Sequence, residues 1–404
     1  MVEPVGVYIS VPFCKAKCTF CNFASDAFGG DRMQGYVECI CVEIRASRCG
    51  VEKLGVTLPS SVDSVYFGGG TPSLLSGEQF RRIFECLRGE FALAAGAEIT
   101  LECAPGQLSD GTLEELLRQG LNRISFGVQS FVDVESAAVG RLHTRQQCEE
   151  EVARVRVAGL EEINIDLIAG LPHQTEKSWR YSVERTIASG VPHVSVYMLE
   201  VDEESRLGRE MLEKGSRYSA LAVPSEDAVV EWNLQACDAL GAAGLEQYEI
   251  SNFAREGHRS RHNLKYWRRE PYVGFGLDAH SMLRTESGAV RFANGDDLDV
   301  YLDGGESGSA PLKVFAPLVP EVEVVGQEKA FEESLFLGLR LNEGVRLDAL
   351  GSRFGEAMMR DVMPALQEVR EAGLLEIEDS CARLTARGRM VSNEVFSRLL
   401  LASA

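Results

Sequence analysis

The stretch PFCKAKCTFCNF, residues 12–23, carries three cysteines at CxxxCxxC spacing directly after a short apolar run. Thiolates are soft ligands that favour iron–sulfur clusters and zinc. A structural zinc ion takes four protein ligands, and Phe23 follows the third cysteine where a fourth ligand would be expected. Cys14, Cys18 and Cys21 can instead hold three irons of a cubane and leave its fourth iron open to a chelating small molecule. The alternative is a chance grouping in a chain with eleven cysteines.

Length and composition are typical of a globular protein with one large domain and a smaller one. The chain has 404 residues, of which 45% are hydrophobic and 25% charged. It has no signal-peptide pattern and no apolar run near the roughly 18 residues of a membrane helix. The odd number of scattered cysteines suits reduced thiols, so we expect a cytoplasmic protein without a membrane span. The net charge of −20 argues against nucleic-acid binding.

Short β-rich runs alternate with helical patterns from residue 5 onward. The β-rich runs cover residues 5–11, 62–67, 98–103, 123–128, 162–168 and 193–199, and helical patterns cover 77–91, 109–119, 145–158 and 176–188. Ser109 offers a cap for the start of one helix, and Gly120 a stop. This alternation predicts an α/β fold with βαβ units and a parallel sheet. Periodicity does not decide between part of a barrel and an open doubly wound sheet.

Distinctive residues follow or end each of the six β-rich runs. Parallel α/β folds collect their chemistry at the carboxyl ends of strands, so we expect these residues to share one rim. They are the three cysteines, GGGTP at 68–72, Glu102, Gln129, Asp166 and Tyr197.

Each rim group also has a purely structural explanation. The glycines would let the backbone approach a ligand closely, or they form a tight turn. Glu102 and Asp166 suit ribose hydroxyls or an ammonium group, or they form ion pairs with Arg141 or Arg123. Gln129 can donate and accept at one edge of a ligand, or it binds neighbouring backbone.

Seven motifs occur in the order CxxxCxxC, GGGTPS, LECAPG, NRISFGVQSF, GRLH, INIDLIAGLPHQT and HNLKYW. In this order they resemble the radical S-adenosylmethionine (SAM) family of oxygen-independent coproporphyrinogen oxidases, and within it the HemW heme-chaperone branch. The resemblance runs from Tyr8 to the C-terminus. It implies a partial (β/α)6 barrel with a helical C-terminal domain, a [4Fe–4S] cluster, SAM, and an electron donor. It also implies heme and the apo-proteins that receive it as partners.

The resemblance implies a role for each matching residue. The cluster ligands fall on Cys14, Cys18 and Cys21. The implied SAM contacts are Tyr8, Phe20, Gly69, Gly70, Thr71 and Glu102, with a second set, known from the oxidase branch, at Gln129, Arg141 and Asp166. The oxidase branch also has a fourth cysteine, where this chain has Phe23, and a longer N-terminal segment. Both departures favour the chaperone branch over coproporphyrinogen oxidation.

One basic stretch, between Arg255 and Arg269, interrupts the acidic trend of the chain. It contains HNLKYW, residues 262–267, which resembles the motif that the chaperone branch is thought to use for heme. Histidine is a common axial ligand of heme iron, and the nearby cations would pair with heme propionates, so we expect His262 to bind heme. The alternative is a solvated basic loop that covers the barrel mouth or meets an acidic partner. His280 is expected either to face the cofactor or to be a core histidine.

The sequence changes character after Arg291. We expect a radical SAM barrel domain at 1–293, a linker or covering segment at 294–327 and a winged-helix-like domain at 328–404. The last has helical patterns at 328–341, 346–354 and 358–372, a hairpin at 374–377 and 382–384, and a final helix from 389. Its presumed reading helix, 358–364, carries little positive charge, which favours a lid or a protein contact over DNA binding.

The function expected from these observations is a heme chaperone built on a radical SAM scaffold. Three alternatives remain open: an anaerobic coproporphyrinogen oxidase, a related radical methylase, and a winged-helix regulator that senses iron–sulfur status. The acidic net charge disfavours the last of them.

Overall fold

The computed structural model describes residues 3–286, 288–306 and 322–400. Its first half alternates six strands with helices. The strands are β1 (Val5–Val11), β2 (Ser61–Gly69), β3 (Ala92–Cys103), β4 (Arg123–Gln129), β5 (Glu162–Ala169) and β6 (His193–Met198). The helices between them are α1 (Arg32–Lys53), α2 (Gly77–Glu90), α3 (Asp110–Gln119), α4 (Asp133–Ala138), α5 (Arg145–Val157) and α6 (Glu176–Ala188). The predicted strands and helices are confirmed, and the largest difference is the earlier start of β3.

The six strands lie side by side in chain order, and every neighbouring pair is parallel. A doubly wound sheet reverses its strand order near the first strand, so this order excludes that alternative. β6 pairs with a later antiparallel strand, and β1 pairs with a later parallel one. Within the described residues β1 and β6 therefore do not pair, and the six-stranded arrangement stays open.

Several helices begin at residues whose side chains cap the first helical turn. Ser109 accepts a hydrogen bond from the backbone of Thr112, and Gly120 ends the same helix with a φ of +96°, as predicted. Thr144 and Thr175 form capping boxes with the residues three positions later. These caps bind the backbone N–H groups that the first helical turn leaves unpaired.

The remaining described residues up to Val325 extend the sheet to twelve strands. These elements are α7 (Arg206–Leu212), α8 (Glu226–Ala242), β7 (Glu246–Gln247), β8 (Asn252–Ala254), α9 (Arg261–Trp267), β9 (Tyr272–Phe275), β10 (His280–Thr285), β11 (Gly288–Ala293), α10 (Leu298–Glu306) and β12 (Val322–Val325). The described part of the expected covering segment thus contains a helix, because Leu298 and Tyr301 lie one turn apart and are buried against the main core. Residues 307–321 of that segment lie outside the described residues.

The two faces of the parallel sheet differ in chemistry. One face of β1 places Val5, Val7, Ile9 and Val11 in the main core, fully buried. The alternate positions of the six strands carry polar side chains, among them Ser64, Glu98, Thr100, Ser125, Asn164, His193 and Ser195, which are also buried. Parallel strands that are buried on both faces are usually apolar throughout. The sheet therefore encloses a polar interior, and the candidate site lies at one end of it.

The C-terminal part forms a second core around Phe331, Leu335, Leu366 and Val369. Its elements are α11 (Gln327–Leu339), β13 (Val345–Arg346), α12 (Leu347–Phe354), α13 (Glu356–Glu371), β14 (Leu375–Glu378), β15 (Cys381–Leu384), α14 (Ala386–Met390) and α15 (Ser392–Arg398). Three helices followed by a hairpin is the predicted order, and it is confirmed. β13 joins the hairpin to make a three-stranded sheet.

Candidate functional site

The cysteine loop lies between β1 and α1 and is fixed by backbone hydrogen bonds. The Cys14 N–H donates to the carbonyl of Asp26 at 2.9 Å, and the Thr19 N–H donates to the carbonyl of Val139 at 3.1 Å. Cys18 is buried, whereas Cys14 and Cys21 are partly exposed, and all three thiols are free. The loop thus presents three cysteines of one segment at the carboxyl end of β1.

The surroundings of Cys14 and Cys21 favour the neutral thiol. Burial raises the pKa of Cys14 and of Cys21. Arg141 reaches Cys18 with Nη1 at 3.5 Å from Sγ, and the Thr71 hydroxyl lies 3.7 Å from the Cys14 sulfur. A bound metal centre deprotonates its thiol ligands outright. A metal centre at this loop would therefore supply the positive charge that the thiolate forms need.

The spacing of the cysteines bears on the kind of metal centre. Among the described residues, no group of three or more His, Cys, Asp or Glu side chains is arranged to hold a metal ion. A single tetrahedral ion draws its sulfur ligands to about 2.3 Å from one centre. A cubane instead binds each thiolate at a different iron, so its ligands stand further apart. The loop as it stands does not form a single-ion site, and it remains compatible with a cluster.

The glycine run at the end of β2, residues 68–70, packs against the cysteine loop. The Gly70 N–H donates to the Val11 carbonyl and the Thr71 N–H to the Phe13 carbonyl, both at 2.8 Å. A Cβ at Gly70 would lie 2.8 Å from the Phe13 carbonyl oxygen and 3.0 Å from the Cys14 sulfur. Gly69 has a φ of +102°. The run is therefore both a turn that needs glycine and a close approach to the cysteines.

Glu102 lies at the end of β3 and accepts a hydrogen bond from the Tyr66 hydroxyl at 2.8 Å. Removal from water raises the pKa of Glu102 to about 7. The bond from Tyr66 and one from the Gly69 backbone oppose that rise, and the charge of Asp166 adds to it. Glu102 thus lies against the glycine run and close to the other predicted rim carboxylate.

Asp166 and Arg141 complete the charged groups of the rim. Asp166 accepts hydrogen bonds from the Asn164 amide at 2.7 Å and from the Ser125 hydroxyl at 3.2 Å, and burial raises its pKa. Arg141 donates to the carbonyl of Gly127. Within the described ranges no ion pair joins Glu102 or Asp166 to a cation, and none joins Arg141 to a carboxylate. Arg123, the other expected partner, pairs with Glu162.

Gln129 has a left-handed backbone, with a φ of +68°, at the end of β4. Its side-chain oxygen is buried and has no hydrogen-bond partner among the described residues, and the same holds for Nε of Arg141. Buried polar atoms normally have partners, and strained backbone is often found at functional sites. These two atoms fit a site built for a polar ligand rather than a self-contained core.

The two predicted aromatic contacts, Tyr8 and Phe20, have different neighbours. Tyr8 stacks on Tyr66, with ring centroids 6.1 Å apart, and burial raises its pKa. Phe20 belongs to a small apolar cluster with Val139, Ile168 and Leu171. We call the group formed by the cysteine loop, residues 69–71, Glu102, Gln129, Arg141 and Asp166 the rim site.

His262 lies in α9, deep in the polar interior. It is 1% exposed, its Nδ1 lies 2.9 Å from the Ser64 hydroxyl, and its Nε2 lies 3.0 Å from the Tyr266 hydroxyl. Burial lowers its pKa to about 3. Both ring nitrogens are thus engaged, so this conformation offers heme iron no nitrogen of His262.

The basic stretch around His262 is neither a solvated loop nor a free cluster of cations, which corrects the expectation for heme propionates. Among the described residues every cation of the stretch except Arg255 meets a carboxylate, and all of these carboxylates except Glu270 come from distant parts of the chain. The pairs are His258–Glu162, Arg259–Glu343, Arg261–Glu98, Lys265–Asp63, Lys265–Glu270, Arg268–Glu343 and Arg269–Glu333. We call residues 259–269, with their partners Glu333 and Glu343, the seam, because those partners belong to the C-terminal part.

A cavity of about 340 Å³ adjoins the rim site. Its lining contains Tyr8, Ser10 and Gly69 together with Phe23, Ala24, Ser25, Tyr266, Tyr272, Leu277, Asp278 and His280. Sequence reasoning missed Tyr272 and Asp278, because it counted strands only as far as the sixth. The run YVGFG at 272–276 carries the signal that was available: a short β-rich segment ending in glycine, followed by polar residues.

Comparisons with known proteins agree with this architecture. The model of the radical SAM superfamily matches residues 8–185, and the HemN C-terminal domain matches residues 326–391. A heme chaperone HemW of Lactococcus lactis is 31% identical over 99% of this chain and 98% of its own length. One of Bacillus subtilis is 30% identical, with 98% and 99% coverage.

Among solved structures, the coproporphyrinogen III oxidase HemN of Escherichia coli matches with a TM-score of 0.81. The match covers 98% of this chain and 90% of the HemN chain. At 20% sequence identity it shows only that the two proteins share a fold. No helix among the described residues is long and apolar enough to cross a membrane. The chain belongs to the radical SAM family of HemN and HemW, and membership implies a [4Fe–4S] cluster and SAM as its cofactors.

Proposed function

We propose that this radical SAM protein is a heme chaperone, which binds heme and transfers it to apo-proteins. Relatives that carry this name match nearly the whole chain. The observation that carries the proposal in the structure is the cavity beside the rim site, whose lining includes the side chains of Phe23, Tyr266, Tyr272 and Leu277. A porphyrin is flat and apolar over most of its surface, and such walls suit it.

We further propose that the rim site holds the cofactors. Cys14, Cys18 and Cys21 would bind the cluster, and Tyr8, Phe20, Gly69, Gly70, Thr71 and Glu102 would contact SAM, with Gln129, Arg141 and Asp166 as a second set. The unpaired charges and the orphaned side-chain oxygen of Gln129 support this assignment. When bound, the reduced cluster supplies an electron that can cleave the sulfonium bond of SAM.

The protein's own contribution at this site is electrostatic. Above about pH 7 Glu102 is ionised, and it can then accept hydrogen bonds from an ammonium group beside the Gly69 backbone. Arg141, with no carboxylate partner among the described residues, can neutralise a thiolate at Cys18. Gly70 keeps the backbone close enough to the loop that no side chain fills the space.

We also propose a cellular location, an electron donor and a division into domains. The absence of a disulfide among the eleven cysteines, all of them described residues, supports a reducing, cytoplasmic environment. A reducible cluster requires an external electron donor. The second hydrophobic core supports a division into a barrel domain at 1–293, a connecting segment at 294–327 and a winged-helix-like domain at 328–404.

The test of this function is anaerobic and compares two substrates. The reconstituted protein should bind heme in an absorbance titration and then pass it to an apo-protein whose spectrum changes on receipt. The same protein, given SAM, a reductant and coproporphyrinogen, should form no protoporphyrinogen. Turnover to protoporphyrinogen would overturn the chaperone assignment and favour the oxidase, whose fold this chain shares.

A further inference from the structure

The six histidines of the chain differ in whether a metal can reach them. His193 and His262 are buried with both ring nitrogens hydrogen bonded. His143 is buried and bound to the Val128 carbonyl, and His258 pairs with Glu162. Only His173 and His280 are exposed, and of these two His280 alone lines the cavity beside the rim site.

His280 has a neighbour that suits a metal ligand. Its side chain is 68% exposed, and its Nε2 lies 3.7 Å from Oδ1 of Asp278. Histidines that bind metals usually direct their other ring nitrogen to a carboxylate, carbonyl or water, which fixes the ring and increases its basicity. At 3.7 Å the two side chains are too far apart for a hydrogen bond, but the Asp278 carboxylate lies on the Nε2 side of the ring. Among the described residues no hydrogen bond engages Nδ1 of His280, which leaves this nitrogen available to iron.

The backbone around His280 is rigid. His280 begins β10 and pairs with Ala293 of β11. The turn before it is tied to α1, because the Gly276 N–H donates to the buried Glu43 carboxylate at 2.9 Å and the Leu277 N–H to the Tyr36 hydroxyl at 2.8 Å. Asp278 itself has a φ of +55°. These bonds therefore fix the backbone positions from which the side chains of Asp278 and His280 project.

The remaining cavity walls suit one edge of a porphyrin. The rings of Tyr266 and Tyr272 meet edge to face with centroids 4.6 Å apart, and Phe23, at 60% exposure, borders the same space from the cysteine loop. A heme is larger than the 340 Å³ cavity, so part of it would remain in solvent. No lysine or arginine is among the described residues that line the cavity, so the propionates would point outward. Partial exposure is what a carrier that must release its cargo requires.

We propose that His280 is the axial ligand of heme iron, with Asp278 as its positioning residue and His262 as a structural histidine of α9. This proposal rests on the proposed function, since it assumes that the chain binds heme. It assigns the iron to the accessible edge of the cavity rather than to the interior of the barrel.

The experiment is a ferric heme titration of the full, cluster-reconstituted chain under anaerobic conditions. His280→Ala is compared with His173→Ala, which removes the other exposed histidine outside the cavity. We expect His280→Ala to lose the absorption bands of histidine-ligated heme and to bind more weakly, while His173→Ala behaves as the parent. Added imidazole should restore the bands in His280→Ala. Asp278→Asn should keep histidine ligation and lose about tenfold in affinity.

His280→Tyr guards against a variant that merely fails to fold. Tyrosine also ligates heme iron, so this variant should bind heme with a different spectrum. Iron and sulfide contents should match the parent in every variant. An unchanged spectrum in both His280 variants would overturn the ligand assignment, whereas a parent protein that binds no heme would overturn the proposed function itself.

Discussion

The rim site and the seam are both rich in charged side chains. They differ in whether these side chains form ion pairs. At the seam each cation meets a carboxylate: Arg269 and Glu333 are 3% and 5% exposed and lie 2.9 Å apart. At the rim site Glu102, Asp166 and Arg141 lie close together, and within the described residues none has an ion-pair partner. The sequence singled out both regions, and only the structure separates them.

The difference has a physical basis. A charge that is removed from water loses hydration energy, and a partner of opposite charge offsets that loss. The ion pairs at the seam therefore account for its charged side chains, and no ligand is needed to explain them. At the rim site hydrogen bonds offset only part of the cost of burying the carboxylates, because the pKa values of Glu102 and Asp166 remain raised. A polar ligand of opposite charge would reduce the remaining cost. The absence of a partner is a better guide to function here than the density of charge.

The largest effect that distinguishes the two regions is loss of the cluster. Cys14→Ala, Cys18→Ala or Cys21→Ala should each abolish the iron–sulfur cluster, because a cubane with only two protein thiolates is not held. Iron and sulfide analysis after anaerobic reconstitution measures this, with about four of each expected in the parent.

The matched control for the cluster is Cys148→Ala, which removes a buried thiol from α5. It should retain the full iron and sulfide content, as should Cys39→Ala. A full cluster in the Cys18 variant would refute the assignment of the loop.

The ion pairs of the seam should contribute to the stability of the fold rather than to ligand binding. Glu333→Ala leaves Arg269 and Arg291 without their shared carboxylate, and Arg269 is buried. Breaking a buried pair costs about 3–5 kcal/mol in the free energy of unfolding. Denaturant unfolding of the apo-protein tests this, with Glu343→Ala as the control, because Glu343 is 46% exposed and such pairs contribute about 0–1 kcal/mol. Equal effects of the two variants would remove the distinction between buried and exposed parts of the seam.

Sequence reasoning succeeded where the information is local. The strands, the capped helix from Ser109 to Gly120 and the collection of Glu102, Gln129 and Asp166 at one rim follow from neighbouring residues and from the geometry of parallel strands. The order of the C-terminal helices and hairpin follows from the same local patterns.

Sequence reasoning did not foresee the ion pairs of the seam, because they join residues far apart in the chain. Arg268 meets Glu343 and Arg269 meets Glu333, and no spacing rule brings them together. The burial of His262 likewise depends on Ser64 from β2 and on Tyr266. A cluster of basic residues in a sequence therefore does not show whether its cations are free.

A smaller effect is expected for SAM at the rim site. Glu102→Gln should weaken SAM binding about ten- to a hundredfold, the range for a lost charge-assisted hydrogen bond of roughly 1.5–3 kcal/mol, and should leave the cluster intact.

Because the pKa of Glu102 is about 7, the carboxyl is neutral below this pH and ionised above it. SAM affinity of the parent should therefore rise as the pH increases through 7. Equilibrium binding across this range tests the point, and the Gln variant should lack this step. A parent whose affinity is independent of pH would return Glu102 to a structural role.

The smallest effect is expected for Arg259, and it tests the comparison most directly. The basic stretch first suggested that Arg259 and its neighbours bind heme propionates, which predicts a large, salt-dependent loss of heme affinity in Arg259→Ala. In the structure Arg259 lies 3.6 Å from Glu343 and over the ring of Tyr248, on the seam rather than at the cavity. We therefore expect heme affinity to stay close to that of the parent at every salt concentration, and stability to change by about 0–1 kcal/mol. Heme titrations at low and high salt provide the measurement. A loss of affinity that diminishes as salt screens the charge would mean that the seam opens to heme, and its paired charges would then be a closed form of a binding surface.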